Sequence, residues 1–143
     1  MKPLVGLAVC LLLVAAESKE DKKKAADEIA GVWKVSSLLA NGNEIDDLKG
    51  TKFTFKGEKL TRQTPDGEET YTFTLHPSKK PGEVDIVPDQ GDNKGKTLKG
   101  IYMVKGGELK LCLSLDPSAK RPKEFASKEG EEFVLITLKQ EKS

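Results

Sequence analysis

From Gly31 to Leu138 apolar and polar residues alternate in short runs separated by turn residues. A period of two marks half-buried β-strands, because successive side chains leave a strand on opposite faces. The clearest run is Glu108–Leu115, with leucines at 109, 111, 113 and 115 and Lys110, Cys112 and Ser114 between them. Glu69–His76 sets Tyr71, Phe73 and Leu75 against three threonines. Thr51–Lys56 aligns Phe53 with Phe55, and Glu83–Val87 aligns Val84 with Ile86. Lys59–Gln63 is polar apart from Leu60. In Lys96–Lys105 the inward set is Leu98, Gly100, Tyr102 and Val104, since the other parity buries Lys99 and Lys105. Gly31–Leu39 places Trp33, Val35, Ser37 and Leu39 on one side, and Glu132–Lys139 places Val134, Ile136 and Leu138 inward.

Turn signals separate these runs: Gly57-Glu58, Pro65-Asp66-Gly67 and Gly106-Gly107. Two connections are longer, Ala40–Gly50 and Asp116–Glu131. Parallel strands need a crossover of a dozen or more residues, which most of these connections lack. The predicted class is therefore all-β: an eight-stranded antiparallel up-and-down barrel, preceded by a short helix or linker. Closing the barrel removes the unpaired edges of an open sheet. A flattened sandwich or half-open barrel of the same strands is the alternative arrangement.

The first thirty residues follow a different pattern. Met1-Lys2 is a short basic start, Leu4–Ala16 carries no charge, and Glu17 onward is abruptly polar. This is the layout of a secretory signal peptide cut after Ala16, with Val14 and Ala16 at the −3 and −1 positions. The thirteen uncharged residues fall short of the roughly 20 needed to cross a bilayer as a helix, so no stable membrane insertion is expected. Cys10 lies inside the apolar run and follows Val9, which does not fit a lipoprotein cleavage site. The expected location is exported, periplasmic or secreted. Residues 17–30 form a charged linker or a short helix ending at Gly31, with Ile29 tucked against the barrel mouth; its lysine run is interleaved with acids and reads as a solvated linker. The length suits one domain, residues 31–140, and no internal feature asks for a second.

Charge and cysteine content narrow the function. The chain has 24 basic and 23 acidic side chains, and without Lys2 it is formally neutral. Nucleic-acid binding normally needs a basic excess, so no nucleic acid is expected as partner. Cys112 is the only cysteine after residue 16, which excludes an intramolecular disulfide. Gly91–Thr97 imitates a phosphate loop but has Gln90 where glycine is required, and a strand rather than a helix follows. Asp89, Asp92 and Asn93 lack calcium-loop spacing, and Asn43, Glu44, Asp46 and Asp47 read as an exposed loop. One histidine, His76, and one cysteine are too few for zinc. His76 at its strand end is expected to be exposed, and nothing near Cys112 in sequence supplies a base. Glu68-Glu69 and Glu131-Glu132 would point to opposite faces. No enzyme activity, cofactor or metal is expected.

Gly31-Val32-Trp33 heading an eight-stranded meander resembles the lipocalin/calycin pattern. The resemblance implies that Gly31 and Trp33 close one barrel end and that a basic residue of the last strand lies over the tryptophan. Lys139 is the nearest candidate here, where lipocalins usually have arginine. Five segments also resemble a family of small lipocalin-like domains of uncharacterised function found mostly in planctomycete bacteria: Gly31–Val35, Lys52–Gly57, Asn93–Tyr102, Leu109–Leu113 and Arg121–Phe125. That resemblance covers about residues 30–140 and implies the fold rather than an activity.

Phe53, Phe55, Tyr71, Phe73, Tyr102, Leu111 and Leu113 are the candidate cavity lining, since barrels of this size can hold one small ligand. One reading is a monomeric module that binds a small apolar ligand, with Ala40–Gly50 as a lid. The other is a structural or protein-interaction domain whose barrel is filled and whose exterior or 116–131 loop meets a protein partner. The first sixteen residues generate a direct test: N-terminal sequencing of the exported protein should begin at Glu17, and a mature chain starting at Met1 would refute the signal peptide.

Overall fold

The computed structural model describes residues 18–141; the expected signal peptide lies outside the described residues. Helix α1 (Lys19–Ile29) precedes strands β1 (Gly31–Ala40), β2 (Asn43–Glu44), β3 (Lys52–Lys56), β4 (Lys59–Thr64), β5 (Gly67–His76), β6 (Gly82–Pro88), β7 (Leu98–Lys105), β8 (Glu108–Ser114) and β9 (Phe133–Gln140). From β3 to β9 each strand pairs antiparallel with the next. β1 pairs with both β3 and β9, which closes an eight-stranded antiparallel barrel. The two-residue β2 folds back on the end of β1 and leads into a 3-10 turn at Asp46–Leu48.

β1 divides its pairing. Gly31–Lys34 lie opposite β3, and Trp33–Ala40 lie opposite β9. One residue, Ser36, is left unpaired between Val35↔Leu138 and Ser37↔Thr137, and its hydroxyl donates to the Thr137 carbonyl at 3.1 Å. This β-bulge reverses the side-chain parity. Trp33 and Val35 point inward before it, and Leu38 points inward after it. The inward assignment of Ser37 and Leu39 from simple alternation is thus corrected to Leu38.

The other strands follow their alternation. Phe53, Phe55, Leu60, Phe73, Leu75, Val84, Ile86, Leu98, Leu109, Leu111, Leu113, Val134, Ile136 and Leu138 are all buried. Phe55 and Phe73 meet edge to face, with centroids 5.2 Å apart, an arrangement favoured by the ring quadrupoles. Leu115 departs from its leucine series. It lies past the end of β8 and is 54% exposed.

α1 covers one barrel end. Ser18 caps it by accepting from the Asp21 amide at 3.0 Å, and Glu20 and Asp21 sit favourably in its positive first turn. Ala25 and Ile29, four residues apart on one face, are its buried side chains. The Trp33 indole N–H donates to the Ile29 carbonyl at 2.7 Å, so the tryptophan satisfies one of the carbonyls left open at the helix end. Ile29 therefore packs on the closed end, away from the open mouth. Lys139 does not cover Trp33. Its parity is opposite to that of buried Leu138, and it stands exposed beside Lys34 and Glu108.

The long 116–131 segment lies outside the barrel wall as a strap. The Arg121 guanidinium reaches the carbonyls of Val84 (3.1 Å) and Gly100 (3.0 Å) and the carboxylate of Asp85 (2.8 Å). Gly100 permits the close packing inside this wall: a Cβ there would stand 2.3 Å from Leu113 Cδ2 and 2.7 Å from the Cys112 carbonyl oxygen. Ser127 and Asn41 tie the far end of the strap to the β1–β2 hairpin.

Trp33 has no exposed surface and joins helix to barrel. Trp33→Ala should therefore cost about 3–5 kcal/mol in a denaturant titration. A loss below about 1 kcal/mol would show that the closed end does not depend on it.

Candidate ligand cavity

The two barrel ends differ in filling. Trp33, Phe55, Phe73, Leu109 and Leu111 are nearly or fully buried and occupy the half beneath α1. The opposite half holds a cavity of about 380 Å³. Its walls come mostly from the strand ends remote from α1: Leu38 and Ala40 of β1, Phe53 of β3, Ile86 of β6, Leu98 of β7, Leu113 of β8, and Val134 and Ile136 of β9, with Val35 and Leu60 lining it from further along β1 and β4. Ile45, Leu48 and Thr51, from the connection after β1, reach over it, and Leu115 stands at its rim.

Phe53, Tyr71 and Leu113 lie on the cavity wall. Phe55, Phe73 and Leu111 belong to the filled half. Tyr102 borders a separate polar depression between α1 and the Pro77–Lys80 connection, where its ring packs against Gly82.

Arg62 is the one charged side chain on the cavity wall among the described residues. It lies opposite Glu69 in the β4–β5 register, with Tyr71 two residues further along the same face. Arg62 donates to Glu69 Oε1 from Nε at 3.1 Å and also from Nη2, and the Tyr71 hydroxyl donates to the same oxygen at 3.0 Å. The Arg62 hydrogen bond holds the Glu69 carboxyl below the usual glutamate range. Burial pushes the Tyr71 hydroxyl up. The position of Arg62 was implicit in the sequence, because it shares parity with Leu60. Its polarity masked it, and only the β4–β5 register reveals its partners.

The outer wall corrects the expectation that His76 is exposed. His76 Nε2 lies 3.1 Å from Asp85 Oδ2, and Asp85 is also held by Arg121. Cys112 points outward as its parity requires, yet it is fully covered, because the strap lies over it and its Sγ donates to the Ala126 carbonyl at 3.4 Å. Burial pushes its thiol up, away from the thiolate that a nucleophile requires. Among the described residues no three His, Cys, Asp or Glu side chains are placed to hold a metal ion, and no helix is long and apolar enough to cross a membrane.

Comparison with protein-family models, curated proteins and solved structures finds no match to this chain. The closed antiparallel barrel is compatible with a lipocalin-like barrel on its own geometry.

If Arg121 clamps the strap, removing it should expose Cys112 through local opening. Arg121→Ala should accelerate labelling of Cys112 by an aromatic disulfide reagent at least about tenfold in protein lacking residues 1–16. An unchanged rate would mean that the strap is held without Arg121.

Proposed function

We propose that this protein is an exported, monomeric, lipocalin-like domain, of the small planctomycete type that its segments resemble, and that it binds one small apolar molecule without transforming it. The observation that carries the reading is the apolar cavity of about 380 Å³ opposite the helix-covered end. That volume falls at the small end of the roughly 300–1,000 Å³ typical of ligand sites, and such sites are mostly apolar with a few polar groups. A core meant only for stability would be expected to fill to interior density throughout. This barrel does so only in the half beneath α1. The mobile element of the proposal is the Ala40–Gly50 connection, whose Ile45 and Leu48 form part of the roof.

The environment-sensitive neutral dye N-phenyl-1-naphthylamine should bind saturably with one-site behaviour. Combining Leu38→Trp with Val134→Phe fills the cavity and should weaken dye binding at least about tenfold while the protein stays folded. Leu111→Trp is the contrasting variant. It overpacks the filled half and should cost about 1–3 kcal/mol of stability, with dye affinity of the folded protein unchanged. Absence of saturable binding, or binding indifferent to the Leu38 and Val134 changes, would remove the ligand reading in favour of an interaction domain.

A further inference from the structure

The charge arrangement at the cavity wall selects among apolar ligands. Arg62 lines the cavity, and its side chain is 29% exposed, compared with 37% for Glu69. The two residues face each other across β4 and β5, and Tyr71 binds the same carboxylate oxygen. Arginine carries five N–H donors. Two of them go to Glu69 Oε1, so hydrogen-bonding capacity remains at a place where the rest of the wall is apolar apart from the Thr51 and Tyr71 hydroxyls.

The positive charge, by contrast, is already matched. An arginine without a carboxylate partner would recruit an anionic head group, because charge-assisted hydrogen bonds are the stronger kind. Here a ligand carboxylate would have to displace Glu69 or sit beside it. Displacement leaves Glu69 without its counter-charge, and sharing puts two carboxylates on one guanidinium; both are less favourable than the pair as it stands. A neutral oxygen meets no such opposition and can accept from the donors that remain.

From this geometry, and resting on the cavity reading above, we infer that the site takes an uncharged, largely apolar molecule carrying one hydrogen-bond-accepting oxygen, which docks at Arg62, and that Glu69 acts as a filter against carboxylates. Glu69 sets this specificity without forming part of the apolar wall. Removing its charge should convert the site into one that accepts anionic amphiphiles.

The test is displacement of N-phenyl-1-naphthylamine by 1-decanol and by decanoate at about pH 7.5, where a carboxylic acid is ionised. It uses the unmodified protein, Glu69→Gln and Arg62→Gln. The informative quantity is the ratio of decanoate to decanol concentrations needed for half displacement, since the intrinsic difference in apolarity cancels between variants. In Glu69→Gln the ratio should fall at least about tenfold, as Arg62 becomes available to the carboxylate. In Arg62→Gln it should rise, because Glu69 is left without its counter-charge. A ratio unchanged in both variants, with the dye still bound and displaced, overturns the inference and leaves the cavity reading standing. Failure of the dye to bind the unmodified protein overturns the cavity reading itself.

Discussion

The double pairing of β1 is the constraint on which the rest of the molecule depends. Its first residues lie against β3 and the remainder against β9, so a single strand closes the cylinder. A strand with strict alternation would direct Ser37 and Leu39 into the interior after Trp33 and Val35. The bulge at Ser36 brings Leu38 inward instead. The strand therefore closes the sheet, and its bulge keeps the interior apolar on both sides. Extra twist at a bulge also suits a strand that passes from one neighbour to the other.

Closure creates two unlike ends. Beneath α1 the aromatic and leucine side chains meet, and Trp33 links helix to barrel by donating to the last helical carbonyl. At the far end, among the described residues, the short 3-10 turn with Ile45 and Leu48 gives a partial roof. Among the described residues, the cavity lies at the end that α1 does not cover. The Arg62–Glu69–Tyr71 group sits on this less filled side, where partial access to water lowers the cost of keeping charge.

The strap gives the outer wall a second apolar contact. A barrel normally presents its outward residues to solvent, and Cys112 and Ile101, paired across β7 and β8, are instead buried on that side. Arg121 fastens the strap by reaching two strand carbonyls and Asp85 together. Its planar fork suits several fixed acceptors better than a lysine would.

The period-two pattern by itself determined the strands, their inward faces from β3 to β9, and the antiparallel meander, because alternation and turn chemistry act over a few residues. The Gly106-Gly107 turn is such a case: both residues adopt positive φ, and they join β7 to β8 as a hairpin. Tertiary structure alone decided the Ser36 bulge, which exists only against Thr137 a hundred residues away. It alone separated Phe53, Tyr71 and Leu113 on the cavity wall from Phe55, Phe73 and Leu111 in the filled half, although all six share inward parity. It covered Cys112 with the strap and set Glu69 against Arg62. Local periodicity states which face a residue occupies. Its height along the barrel axis, and what lies opposite, come from register and long-range packing, and in this molecule those two properties determine where a ligand can sit.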